Sequence, residues 1–272
     1  MFREQEKVAI KYSNAIMKII DDFAKSVKNV EMMAGDIIAS FNDYFRSETC
    51  KEALNAAINS LAVGVAKVTA KTWREAAAKS NRGREVYRAI EKTKVGLASA
   101  IRQIEEASRV EISDLDRITS NAVMDYVAKR QLEGLRAAVI AEELKNVFPS
   151  LLASRVQLIA RTEVGRAETT LMMARSEAMG VKWFVWRTSE DVRVRMSHRK
   201  LDGVLMRFRD PPSPEKLNGE QRDYGPYLPG SIFNCRCLSE PLIDPDDISW
   251  PAKCYMAGKV SYLTRARFSQ LN

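Results

Sequence analysis

The chain has 272 residues, 46% of them hydrophobic, with a formal charge of +8 and one histidine. That length allows a large buried core in one or two domains. The single histidine excludes nucleases that need a histidine pair and metalloproteases of the His-Glu-x-x-His kind. The Gly-x-Ser-x-Gly elbow and the phosphate-cradling glycine loop are both missing, so the usual hydrolase and nucleotide-binding readings lack support.

All nine prolines fall at or after Pro149, which marks residues 1–148 as helical. Tyr12, Ile16, Ile19, Phe23, Val27, Val30 and Met33 recur at three-and-four spacing, so a helix is expected there. Residues 51–79 are alanine-rich and also read as helix. Within them, the longest uncharged stretch, Ala53 to Ala66, is fourteen residues, shorter than the roughly 18–20 that cross a bilayer. The N-terminus has no secretory signal pattern, so a soluble, unexported chain is expected. Tyr87, Ile90, Leu97, Ile101 and Ile104 predict a second helix–helix seam, interrupted by Lys94. In "ISDLDRI", Ser113 or Asp114 is placed to cap a further helix running towards Phe148.

"FPSLLASRV" is expected to break the chain's helical course, with Ser150 capping a new helix from Leu151 to Met179 that stops at Gly180. "VKWFVWRT" predicts a strand covered on both faces. The proline- and glycine-rich stretch 209–229 reads as a long surface loop. Residues 244–272 have no sustained period and read as a tail that needs a partner surface. The fold class expected is α+β: a helical region over 1–148, a small mixed module over 150–243 and an extended tail over 244–272.

"TSEDVRVRMSHRKLDG" predicts a short helix, capped by Thr188 or Ser189 and ended by Gly203. On it Asp191, Arg195, His198 and Asp202 would share one face. Such a face either clamps a ligand or forms an ion-pair network pinning the helix. In "SIFNCRCLSEP", Cys235 and Cys237 stand one residue apart, thirty-seven residues beyond His198. Thiolate and imidazole suit zinc, so His198, Cys235 and Cys237 form a candidate structural site, with Cys254, an aspartate or water as the fourth ligand. Buried free thiols and a catalytic thiol are the other readings. The unlike spacings of the four cysteines argue against a secreted disulfide framework and for a reducing compartment. Fourteen of the nineteen basic residues beyond residue 148 are arginine, which permits phosphate contact but equally describes a solvated surface.

The ordered series "ARTEVGRAETTLMMARSEAMGVKWFVWRTSEDVRVRMSHRKLDG", a proline-rich loop, "PGSIFNCRC" and "EPLI" resembles the phage Mu F-like head morphogenesis, or minor head protein, family of tailed bacteriophages. The resemblance spans about residues 150–243. It rests on Asp191, Arg193, Arg195 and His198, then Asp202 and Gly203, then Asn234, Cys235, Arg236 and Cys237, in that order. It implies a minor virion component inside the capsid near the portal, assembled in the host cytoplasm, with no established catalysis and the possibility of leaving with the DNA. The partners it implies are the portal protein, the major capsid or scaffolding protein, and non-specific contact with packaged DNA. The alternative is a nucleic-acid-processing or transferase enzyme using His198, Asp191 and Arg195 with Cys235 and Cys237.

Overall fold

The computed structural model describes residues 2–80, 83, 85–87 and 94–271. Among the described residues, the helices before the first strand include α1 (Phe2–Val27), α2 (Ala34–Arg46), α3 (Glu48–Lys79), α4 (Lys94–Ser113), α5 (Leu115–Leu132) and α6 (Ala137–Ala178). Then follow β1 (Trp183–Arg187), α7 (Met196–Arg199), β2 (Leu205–Arg207), α8 (Pro214–Leu217), β3 (Leu238–Pro241), β4 (Ala252–Met256), β5 (Lys259–Leu263) and α9 (Arg265–Ser269). The α+β expectation holds, with no strand among the described residues before β1. Two compact units are present. One comprises Lys7–Ala62 and Glu105–Ala160; the other comprises Met1–Glu6, Val63–Ile104 and Arg161–Asn272. Both draw on helices from either side of residue 148.

The helical unit is built on the stripe read from α1. Tyr12, Ile16, Ile19, Phe23 and Val27 are buried, and Phe23 meets Phe41 at 5.1 Å and Phe148 at 5.3 Å between ring centroids. Phe41 and Phe148 close the triangle at 5.4 Å. Tilted and edge-on aromatic contacts of this kind add about 0.5–1.5 kcal/mol each beyond area burial. Val30 and Met33, expected on the same stripe, are exposed instead. The helix stops at Val27, and the Asp36 carboxylate accepts the Met33 backbone N–H at 2.9 Å to start α2.

Other boundaries also moved. Ile90 of the second seam lies outside the described residues, and Tyr87 is exposed. Ala100, Ile104, Ser108 and Ile112 supply the buried stripe, and a count of large apolar side chains passes over alanine and serine. Asp114 stands at the N-cap of α5 but makes no capping bond; its carboxylate holds Arg117 at 2.8 Å. The helix from there does not reach Phe148, because the chain turns at Gly134 with φ +83°, a backbone region that glycine adopts without steric cost. Pro149 breaks nothing and sits inside α6, where Ser150 Oγ donates to Val147 O instead of capping. An interior proline costs about 3 kcal/mol. Burial of Leu144, Phe148, Leu152 and Val156, at about 1.5–3 kcal/mol each, outweighs that. By length and composition α3 is apolar enough to cross a membrane; its Leu54, Ala57, Ile58, Leu61 and Ala62 are buried in the helical unit's core.

The second unit contains a five-stranded sheet in the order β3-β1-β2-β4-β5. β1 pairs antiparallel with β2 and β3, β2 pairs parallel with β4, and β4 pairs antiparallel with β5. Alternation along β1 sends Phe184 and Trp186 to one face and Trp183 and Val185 to the other. Trp73, Met172, Met206 and Phe208 cover the first face; Leu205, Leu242, Cys254 and Phe268 cover the second. The strand covered on both faces is therefore present as read.

The expected tail is a correction. Residues 244–272 supply β4, β5 and α9 to this sheet. Phe268 packs 5.1 Å from the Trp183 ring and 4.9 Å from that of Trp250, and Arg207 lies over Trp183 while donating to Leu271 O at 2.7 Å. Strands of five residues, of which β4 buries only Cys254 and Tyr255 and β5 is largely exposed, leave little periodicity to detect in sequence.

Truncation after Ile243 is expected to abolish cooperative unfolding of this unit, and Phe268→Ala to cost about 3–5 kcal/mol; denaturant unfolding followed by circular dichroism measures both. Burial pushes the Glu168 carboxyl on α6 up to about 8 from an ordinary 4.5. Below that ordinary value the folded and unfolded chains are both protonated there and the contribution is fully present. From there to about 8 the unfolded chain releases a proton that the folded one keeps, so stability falls by up to about 1.4 kcal/mol per pH unit and is lost above. Urea unfolding across this range should show the decline, and Glu168→Gln should flatten it.

Candidate functional site

Three segments of the second unit meet at one end of β1. The motif stretch after β1 is helical only over Met196–Arg199; residues 188–195 are turns and extended chain. The single helix face expected for Asp191, Arg195, His198 and Asp202 is therefore not formed. The local reason is visible in the side-chain bonds: Asp191 Oδ1 accepts the Arg193 N–H at 2.9 Å and its Oδ2 accepts from Ser189 Oγ at 3.0 Å, an Asx-type turn that competes with helix.

Each motif residue then holds a different partner. Asp202 accepts from Thr188 N at 2.7 Å and Thr188 Oγ1 at 3.1 Å, clamping the end of β1 to the turn in which Gly203 takes φ +75°. Arg236 grips Asp191 with both arms, one at 2.6 Å. Partial burial works against ionisation of Asp191, yet the bonds from Arg193 N–H, Arg236 and Ser189 hold it below the usual carboxylate range. Arg195 lies 4.8 Å over the Phe233 ring and donates to Phe233 O at 2.9 Å. Asn234, at φ +55°, turns the chain between Phe233 and the cysteines, in the left-handed region where asparagine is tolerated.

His198, Cys235 and Cys237 do converge. His198 Nδ1 lies 3.6 Å from Cys235 Sγ and 3.4 Å from Cys237 Sγ, and the three ligand atoms lie within 4.8 Å of one another. All three residues are buried. The Cys237 thiol and the histidine, against the effect of burial, pull Cys235 well below an ordinary thiol, while the same pairing and burial push Cys237 up. The Gly230 N–H also points to Cys235 Sγ at 3.4 Å. The four cysteines are free and buried, and Cys254 packs on the opposite face of the sheet, with Trp183 and Leu205, so it does not join this group.

Sequence reading missed the other half of the site. Tyr227 OH sits 2.8 Å from His198 Nε2 and donates to Glu215 Oε1 at 2.6 Å, and Glu215 is 1% exposed. Trp186 closes the group edge-on, 5.5 Å from the imidazole. The stretch 209–229, expected as a surface loop, thus turns α8 and Tyr227 inward. A tyrosine set between Pro226 and Pro229 was the available signal, since proline leaves that backbone few alternatives. The loop is also pressed against α6: Thr169 Oγ1 donates to Pro229 O at 2.5 Å, and a Cβ on Gly165 would stand 2.6 Å from Gly230 O. Around the cysteines, Arg193, Val194, Arg195, Asn234 and Arg236 line a pocket of about 230 Å³ that reaches His198, Cys235 and Cys237.

Gly165→Ala gives a test whose sign is informative. In an ordinary helix interior it stabilises by roughly 0.5–1 kcal/mol. Here the added methyl meets backbone, so the variant is expected to be less stable than the parent, measured by thermal unfolding.

Comparison with known proteins places part of this chain in context. Over 133 residues it is 32% identical to an uncharacterized protein of Haemophilus influenzae, covering 49% of this chain and 26% of that one. Over 125 residues it is 30% identical to an uncharacterized protein of Methanocaldococcus jannaschii, covering 46% of this chain and 18% of that one. The chain thus spans about a quarter or less of the length of these curated relatives. No solved structure matches it. Residues 121–240, which contain α6, β1, the histidine turn and the Cys-x-Cys segment, match the family described as Phage Mu protein F like protein, the family to which the ordered motifs pointed.

Proposed function

We propose that this chain is a minor head protein of a tailed bacteriophage, acting in head morphogenesis inside the capsid at the portal. The observation that carries the reading is the family match over residues 121–240, whose motif residues lie together in one folded cluster. The role is structural. Asp191 is bound to Arg236 and Arg195 to Phe233, so the two charged side chains that the enzyme alternative groups with His198 are engaged elsewhere.

The partners in this reading are the portal protein first, then the major capsid or scaffolding protein. Contact is assigned to the helical unit, which exposes Val110, Met124 and Leu132; residues 244–272, being part of a sheet, are not a free docking arm. The arginines of the second half, among them Arg193 and Arg199, would meet packaged DNA through phosphate without reading sequence.

Co-expression with the portal protein of the same phage, followed by affinity purification, is expected to yield a stable complex. Val110→Glu together with Met124→Glu should abolish it while circular dichroism stays unchanged. Failure of the intact chain to co-purify with portal, and its absence from purified heads, would end the reading.

A further inference from the structure

The group at the end of β1 has the dimensions of a metal site. Zinc with Zn–S of about 2.3 Å and Zn–N of about 2.0–2.1 Å at tetrahedral angles sets N···S separations of about 3.6 Å. His198 Nδ1 stands 3.6 and 3.4 Å from the two sulfurs. The three ligand atoms lie within 4.8 Å of one another, close enough for one ion to bridge them.

The hydrogen-bond chain behind the histidine also prepares it. Tyr227 gives its one hydroxyl proton to Glu215, so its oxygen is left to accept from His198 Nε2. Nε2 is then the ring nitrogen that carries a proton when an ion is bound, and Nδ1 is the one that faces the sulfurs. A carboxylate, reaching the ligand through a tyrosine, fixes the tautomer as outer-shell partners of metal-bound histidines do. The Gly230 N–H aimed at Cys235 offers a sulfur-bound hydrogen bond of the sort that steadies a thiolate.

Three protein donors leave one position of a tetrahedron. Cys254 is on the other face of the sheet, Asp202 is held by Thr188, Asp191 by Arg236, and Glu215 is bound to Tyr227 on the Nε2 side of the imidazole, away from the Nδ1 that faces the sulfurs. What does reach the group is the pocket of about 230 Å³ bounded by Arg193, Arg195 and Arg236. One of its three guanidinium charges is balanced by Asp191; the remaining excess is cationic. Arginine in such a setting favours an oxyanion.

We propose that His198, Cys235 and Cys237 bind one zinc ion whose fourth position opens into the arginine-lined pocket and takes an exogenous oxyanion of the phosphate type. This assignment stands independently of the head-assembly reading. A closed structural zinc would have four protein ligands; this one has three and a door.

The test uses the full chain purified with reductant and without chelator. About one zinc per chain by elemental analysis is expected, falling to near zero in Cys235→Ser, Cys237→Ser and His198→Asn. Because those variants also remove buried side chains, the decisive measurement is cobalt(II) substitution of the parent protein. Thiolate charge-transfer bands with intense tetrahedral visible bands support the site. Added inorganic phosphate should shift the visible bands. Arg193→Gln with Arg195→Gln should keep one metal per chain and weaken the phosphate response at least tenfold in concentration. Metal-free protein that takes up neither zinc nor cobalt, or a Cys235–Cys237 disulfide in the reduced preparation, overturns the proposal. Cobalt bands indifferent to phosphate overturn the open position.

Discussion

The constraint on which the second unit depends is that β1 is buried on both faces. A strand whose Phe184 and Trp186 point one way and Trp183 and Val185 the other cannot be stable beneath a single layer. One face is covered by helical side chains such as Trp73 and Met172, and the other by the C-terminal α9 through Phe268. β2 and β3 flank the strand on its two hydrogen-bonding sides. The ends of β1 are then fixed in space, and the loops that leave β1 and approach β3 are obliged to meet. Proximity of His198 to the cysteines is a result of that topology, since one follows β1 and the others precede β3.

The meeting point is held by polar contacts of unusual density for a buried location. Glu215, Tyr227 and His198 form a line of hydrogen bonds running to two sulfurs, while Asp191, Asp202 and Arg236 tie down its borders. Unpaired groups in such a place cost about 1–3 kcal/mol apiece. Removing one member of the line would therefore leave its buried neighbour unpaired. Backbone packing adds rigidity, because Gly165 and Gly230 allow α6 and the loop to approach without side chains between them.

Much of this was legible in the residues. The α1 stripe, the two-faced β1, the stop at Gly180 and the convergence of His198 with Cys235 and Cys237 follow from periodicity and from loop closure. What was not legible has physical causes. Pro149 reads as a break, and only the burial of Phe148 and Leu152 reveals why the helix survives it. The Asp191–Asp202 face had ideal helical spacing, but local side-chain bonds to Arg193 N and Thr188 N captured both aspartates. Tyr227 and Glu215 lie in a stretch whose composition is that of a solvent loop, and their inward course depends on partners distant in sequence. The residues 244–272 lacked a period because each of their strands lends the core only one or two side chains.

The parallel pairing of β2 with β4 has a consequence for the order in which the chain acquires its structure. β1, β2 and β3 pair with one another without the C-terminal strands, but the face bearing Trp183, Val185 and Leu205 is covered only when Cys254 of β4 and Phe268 are in place. Pairings between segments so distant in sequence are slow to form. A chain in which β4 and α9 have yet to dock therefore carries a tryptophan-bearing surface and an open strand edge, the features that make partly folded species prone to aggregate.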